Sequence, residues 1–318
     1  MRIRAALAGS AALALGIVAG VSSMAAAGAF PADPAQAAAA RSGICSAPAA
    51  HKRLARRLSR DIRGALAGRA GTFAVTVDDR VTGVTCRRNE GRQFDAASVV
   101  KATILAALLR WHQETGQPLS DDEKYLATIM ITQSDNGAAT ELWNELGLDR
   151  LQHFLDLAQM TQTQLNDYGA WGLTQITADD ELTLLRLLTK GNSVLSAYSR
   201  RFELGLMAGV IPGQRWGVPA GAPRDVTVHV KNGWLPLSDG WHVNSIGAFT
   251  GHGRDYMMAV LTDGNPTMDY GVATVEAVAQ VVHRDLNAAQ PDGALLAANV
   301  DPAPSPDAVV PALPAAAR

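Results

Sequence analysis

Apolar positions recur along this chain with two different periods, and the changes of period mark out its elements. Over residues 51–68, Leu54, Leu58, Ile62 and Leu66 return every four positions, the stripe of an amphipathic helix. Arg53, Arg56, Arg57, Arg60 and Arg63 surround that stripe and read as its solvated face. Thr72-Phe73-Ala74-Val75-Thr76-Val77 alternates like a half-buried strand, residues 78–83 turn the chain, and Val84-Thr85-Cys86 starts a return strand. From Ser98 to about Leu188 the period is helical. The first of these helices grows from the apolar run 94–109 and ends near Gly116-Gln117-Pro118; the next starts at Ser120 with Asp121 and Asp122 in its first turn. Further helices are expected at about 138–146, 149–158 and 178–188. A loop rich in Gln, Thr, Gly and Asn fills 160–175, and a loop of that length inside a compact domain is usually functional. A helix near 196–207 and Pro/Gly-rich turns follow, then strands at 227–231, 241–249 and 256–262. A helix over 268–286, with Val272, Val275, Val278 and Val282 on one face, closes the pattern.

The order is therefore helix, two strands, a helical insert, three strands and a helix. It predicts an α+β fold: one antiparallel five-stranded sheet flanked by the terminal helices, with an all-helical subdomain at about 98–190 inserted after the second strand. No internal repeat is visible.

The two ends read differently. Arg2 and Arg4 precede an Ala- and Gly-rich apolar stretch over 5–27, the pattern of a secretory signal peptide over 1–28 with cleavage somewhere in 25–40. The stretch is nearly long enough to span a bilayer, but its Ala/Gly content makes it a poor spanning helix, so no stable membrane anchor is expected. Residues 29–44 read as a disordered Ala/Pro-rich leader and 289–318 as a disordered tail, leaving 45–288 as the folded domain. Ser42-Gly43-Ile44 is a poor run-up to Cys45 for lipid attachment. Export gives meaning to the two cysteines: Cys45 and Cys86 are an even count in a compartment that tolerates disulfides, and a bridge between them is expected, with two buried thiols as the alternative.

Composition changes this picture little. The 318 residues are 47% hydrophobic and 18% charged with a formal charge of -2, which gives no reason to expect a nucleic-acid partner. Lysine is scarce: Lys52, Lys101, Lys124, Lys190 and Lys231 leave 28 minus 5, or 23, arginines, so each lysine is informative. A secreted, extracellular monomer acting on a small molecule or peptide is expected, with no cofactor and no metal.

Two of those lysines stand in motifs. Ser98 and Lys101 lie one turn apart on one helical face, inside a long apolar run. Burial lowers the pKa of an ammonium, and a neutral lysine beside a serine is a base beside a nucleophile. Alone, the pair also describes a helix cap and a lysine that snorkels to the surface. Ser134-Asp135-Asn136 precedes a helix of small residues, and Lys231-Asn232-Gly233 ends the strand 227–231. Capping and a turn would explain each of these separately.

Together, in this order, the three motifs resemble Ser-x-x-Lys, Ser-Asp-Asn and Lys-Thr-Gly of the class A β-lactamases and their penicillin-binding relatives. The resemblance covers roughly 45–288 and implies a β-lactamase/transpeptidase-like fold. It makes Ser98 the acyl nucleophile and Lys101 its proton acceptor. Ser134 would relay a proton to the leaving nitrogen, with Lys231 polarising it and attracting a substrate carboxylate. Asn136 would hydrogen-bond the substrate amide and Lys101, and Asn232 and Gly233 would line the substrate site. The oxyanion hole would pair the Ser98 N–H with a second from the region 240–247.

Two departures matter. Asn232 stands where threonine is usual, and the loop 160–175 contains no glutamate. Gln162-Thr163-Gln164-Leu165-Asn166 mimics the family's Glu-x-x-Leu-Asn with glutamine in the lead, and Asp167 is the nearest carboxylate. The reading is a secreted serine hydrolase that forms an acyl-serine and deacylates slowly, with a non-turnover binding protein on the same fold as the alternative. His229 and His242 are expected to be satisfied strand histidines, and Trp171 and Trp234 either wall the cleft or pack in the core.

Overall fold

The computed structural model describes residues 43–288; the expected signal peptide, all but the end of the leader, and the tail lie outside the described residues. One antiparallel sheet organises the domain. Its strands are β1 (Cys45–Ser46), β2 (Thr72–Asp79), β3 (Val84–Arg88), β6 (Thr227–Leu237), β7 (Gly240–Gly251) and β8 (Arg254–Asn265), in the order β1-β3-β2-β8-β7-β6. The five expected strands are present, and the two-residue β1 adds a sixth at the edge, where Cys45 pairs with Cys86 and is disulfide-bonded to it.

Both faces of the sheet are covered. Leu58, Ile62 and Leu66 of α1 (Lys52–Leu66), with the four expected valines of α7 (Met268–Leu286), pack with Val75, Val77, Met258 and Val260 on one side. Ala74, Met257, Ala259 and Leu261 point the other way, into a second core shared with the helical subdomain. Alternate residues of β8 thus feed two cores, which is why residues 256–261 form an unbroken apolar run.

The subdomain contains α2 (Val100–Thr115), α3 (Asp121–Thr132), α4 (Asn136–Ala158), α5 (Ala178–Thr189) and α6 (Ala197–Ala208). Residues 100–109 of α2 are all buried, as an apolar run without a polar face requires. Gly116 ends α2 in the left-handed conformation, and Ser120 with Glu123 forms a capping box that starts α3. Gly147, at φ 67° and ψ 165°, interrupts α4 between the two helices expected there. A short ladder of β4 (Gln93–Asp95) with β5 (Gln175–Thr177) ties the end of the long loop to the chain just before Ser98.

The three later strands run past their expected ends. Lys231-Asn232-Gly233 lies inside β6, which continues through Pro236 to Leu237. As the outer strand of the sheet, β6 pairs only with β7, so an imide nitrogen that cannot donate is tolerated there. Among the described residues no helix is long and apolar enough to cross a membrane.

Candidate active site

Four segments meet at the first turn of α2. Ser98 lies in a single 3-10 turn, Ala97–Val99, and Ala97 is held at φ 47°, a conformation that a residue with a β-carbon adopts only under constraint. The constraint is visible around it. The N–H of Ala96 donates to the Thr174 carbonyl at 2.8 Å, and Asn244 Nδ2 of β7 donates to the Asp95 carbonyl at 2.8 Å. Asp95 is held in turn by Gln175 Nε2 at 2.5 Å, with His242 Nδ1 3.1 Å away.

One turn further, Lys101 is fully buried. Its Nζ donates to the Ser134 carbonyl at 2.6 Å, to Asn136 Oδ1 at 2.7 Å and to Ser134 Oγ at 3.2 Å. Burial, then the nearby charge of Lys231, pushes its pKa well below the usual lysine value, against a smaller pull from Asp135. The Ser98 hydroxyl forms no hydrogen bond among the described residues, so the direct bond to Lys101 implied by their spacing is not made. Lys101 instead reaches across to the second motif.

Ser134 sits between α3 and α4 at φ 59°, and Asp135 Oδ1 caps α4 by accepting from the Ala138 N–H at 2.7 Å. The Ser134 hydroxyl also accepts from Lys231 Nζ at 3.0 Å. Two lysine N–H donors on one hydroxyl oxygen occupy its acceptor positions and leave its own proton to be donated elsewhere. Lys231 is buried, donates also to the Asn232 carbonyl at 2.8 Å, and has its pKa lowered by burial to about 7.

Gly233 and Asn232 differ in what they can do. A β-carbon on Gly233 would lie 2.8 Å from the Ala96 carbonyl oxygen and from the N–H nitrogens of Ser98 and Val99, so β6 crosses directly over the nucleophile turn. The strand beside the Ser98 N–H is thus β6 at Gly233, and β7, which carries the expected region 240–247, supports the turn through Asn244. Asn232 turns its amide into the protein: Nδ2 donates to the Gln214 and Trp216 carbonyls at 2.8 and 2.9 Å, and Oδ1 accepts from Ser245 Oγ at 2.5 Å. Gln214 Nε2 in turn donates to the Gln133 carbonyl at 2.8 Å, which links the second and third motifs.

The long loop presents an indole rather than a glutamine. The N–H and C=O of Gln162 are taken by Asp180 and Gln93, and its side-chain oxygen lies against Gly91. Gln164 bridges to Gln175 through backbone bonds, and Asp167 is exposed. None of the three is placed on Lys101; the ring centroid of Trp171, in the turn Trp171–Leu173, lies 4.8 Å from Lys101 Nζ. Trp234 stacks edge-on against Trp216 at 5.6 Å.

His229 Nδ1 bonds the Leu204 carbonyl at 2.8 Å, and His242 bonds Asp239 through Nε2 at 3.1 Å while its Nδ1, 3.1 Å from Asp95 Oδ2, forms no hydrogen bond. Among the described residues no group of three or more His, Cys, Asp or Glu side chains is arranged to hold a metal ion. Gln214, Asn244 and Ser245, which brace the site, carry no motif in the sequence. Only their positions in the fold reveal them.

Known proteins share this arrangement at several levels. A model of the beta-lactamase enzyme family matches residues 117–286, just over half of the chain, a stretch that holds Ser134 and Lys231 but begins after Ser98 and Lys101. A protein named as a lipoprotein, LppW, from Mycobacterium tuberculosis is 27% identical over 204 residues, as is its counterpart from Mycobacterium bovis. The match takes in 61% of this chain and spans 64% of the length of those relatives. The TLA-3 extended-spectrum beta-lactamase superposes with a TM-score of 0.64 at 18% identity, over 72% of this chain and 98% of its own. A class A beta-lactamase representative from Bacteroides cellulosilyticus gives 0.64 and 18%, over 73% and 98%. At these identities the structural likeness is one of fold.

Proposed function

The chain belongs to the beta-lactamase enzyme family, and on that premise we propose that it is a serine hydrolase which carries acyl groups on Ser98. The observation that carries this reading is the Ser134 hydroxyl held between Lys101 Nζ at 3.2 Å and Lys231 Nζ at 3.0 Å, beside the nucleophile turn. Neutral Lys101, which has two N–H bonds to donate and so gives up one of its three contacts, turns its lone pair to Ser98 and takes its proton as Oγ bonds to the carbonyl carbon of a β-lactam or a cell-wall-like amide or ester. The Ser98 N–H, with that of Trp234 across the Gly233 contact, stabilises the oxyanion. Ser134, its oxygen engaged by both lysines, donates its proton to the leaving nitrogen, and Asn136 orients the substrate amide. Asn232 braces β6 rather than binding substrate, because its amide is already committed to Gln214, Trp216 and Ser245.

Deacylation is slow in this reading. A positioned general base accelerates a proton transfer about 10²–10⁴-fold, and the loop brings no carboxylate over Lys101. The Cys45–Cys86 bridge and the naming of the LppW relatives as lipoproteins fit action outside the cytoplasm. The absence of a loop glutamate, with Asp167 exposed, also favours a second reading, a binding protein that acylates without turnover.

The test is a panel of fluorescent penicillins and acyl esters read by intact mass. Wild type is expected to carry one adduct that persists for minutes, and Ser98→Ala none. Equal labelling of the two would overturn the serine mechanism, and rapid hydrolysis of a chromogenic β-lactam with no accumulated adduct would overturn slow deacylation.

A further inference from the structure

The indole of Trp171 lies over Lys101, with its ring centroid 4.8 Å from Nζ. Three observations hold it there. The turn Trp171–Leu173 rests on the nucleophile turn, where a β-carbon on Gly172 would lie 3.8 Å from Ala97 Cα, and the adjoining Thr174 carbonyl accepts from the Ala96 N–H at 2.8 Å. Trp171 Nε1 donates to Thr140 Oγ1 at 3.1 Å, and Thr140 itself donates to the Asn136 carbonyl at 3.0 Å, so the ring is anchored on the first turns of α4. Only 5% of the residue is exposed. Lys101 Nζ directs its hydrogen bonds to Ser134 and Asn136 and has the ring face on another side, 4.8 Å from the centroid. An aromatic face offers a water no acceptor comparable to a carboxylate, and among the described residues the hydrogen bonds of Lys101 Nζ go to Ser134 and Asn136 and to no side chain of the loop.

We propose that Trp171 is a water-excluding positioning residue whose indole, clamped over Lys101, sets the lifetime of the acyl-Ser98 adduct. Hydrolysis requires a water oxygen to bond to the acyl carbon while its proton passes to neutral Lys101 Nζ. The bond from that carbon to Ser98 Oγ then breaks, the proton moves to Oγ, and the free acid leaves. Trp171 denies the water its place beside Nζ, whereas acylation, in which Lys101 takes a proton from Ser98 itself, needs no water there. Shrinking the ring therefore separates the two half-reactions.

The inference rests on acylation at Ser98, and the experiment distinguishes the two. Full-length wild type, Trp171→Phe, Trp171→Leu and Trp171→Ala are acylated with a fluorescent penicillin, freed of excess reagent and followed by intact mass at a single fixed pH. The adduct is expected to decay at least about tenfold faster in Trp171→Ala, with acylation changed less than about threefold. Trp171→Phe, which keeps an aromatic ring but loses the bond to Thr140, stays closest to the wild-type lifetime, and Trp171→Leu, which retains more apolar bulk should the Ala variant fail to fold, falls between Phe and Ala. Equal lifetimes in wild type and in folded Leu or Ala variants overturn the role of Trp171 and leave the serine mechanism standing. No adduct in wild type or in any variant overturns both.

Discussion

Gly233 of β6 lies so near Ser98 that a β-carbon at position 233 would sit 2.8 Å from the Ser98 N–H nitrogen. Backbone is on the other side of that contact, so nothing flexible can give way. Gly233→Ala is expected to push β6 off the nucleophile turn and lower acylation by about two orders of magnitude, the scale seen when one oxyanion donor is lost. Overpacking should also cost about 1–3 kcal/mol of stability. Stopped-flow labelling with a fluorescent penicillin, beside urea denaturation, measures both. An Ala variant that acylates at the wild-type rate would show that the close approach has no part in the chemistry.

Lys231 gives the site a pH signature. Burial lowers its pKa from 10.5 to about 7, so it is charged below pH 7 and neutral above. If the charge polarises Ser134, acylation declines as pH rises through 7, by about tenfold for each further pH unit. Lys231→Arg stays charged throughout and is expected to abolish that alkaline decline, at a lower plateau rate because a planar guanidinium does not reproduce the ammonium contacts. The linked stability runs the other way. Between about pH 7 and 10.5 the unfolded chain holds a proton that the folded chain has lost, so stability rises with pH across that window. A Lys231→Met variant should show a flatter rise in urea titrations at pH 7 and 9, and an unchanged slope would exclude the titration.

Much of this was legible in the residues, for reasons that can be named. The valines of α7 and the leucines of α1 lie where their periods put them, because a long helix against a sheet leaves few ways to be buried. The union of Lys101, Ser134 and Lys231 could not be read from their separations of 33 and 97 residues, only from the family pattern. Lys231-Asn232-Gly233 looked like a strand end because glycine and the following Pro236 are turn residues by local preference. An edge strand accepts the proline, and the contact with Ser98 demands the glycine. The resemblance at Gln162 is local: similarity over five residues says nothing about where a loop is stitched down, and here the Gln162 N–H and C=O are held by Asp180 and Gln93.

The Cys45–Cys86 bridge joins β1 to β3 across 41 residues of sequence. On a chain-entropy basis a loop of that length is worth about 4 kcal/mol. The double variant Cys45→Ser, Cys86→Ser should therefore lose about 2–4 kcal/mol in urea denaturation while its rate of labelling at pH 7 stays near wild type, since neither sulfur approaches Ser98. Alkylation of the oxidised protein is expected to find no free thiol. Recovery of two alkylated cysteines without reductant would contradict the bridge.

Asn232 offers a sharper test of how the third motif works. Its Nδ2 donates to two buried carbonyls, Gln214 and Trp216, and its Oδ1 accepts from Ser245 Oγ, which itself accepts from the Val218 N–H at 2.9 Å. Threonine, the usual residue at this place in the family pattern, has one hydroxyl and cannot serve both carbonyls. Asn232→Thr should then leave at least one buried acceptor unpaired, at about 1–3 kcal/mol. Because the amide faces inward, the variant should not discriminate among substrates by charge. The ratio of acylation rates for a penicillin, which bears a carboxylate, and for an uncharged acyl ester should stay within about twofold of wild type even as both rates fall. A loss confined to the penicillin would mean that the Asn232 side chain turns outward and binds the carboxylate. Loss of both in parallel, with lowered stability, is the outcome that its hydrogen bonds predict.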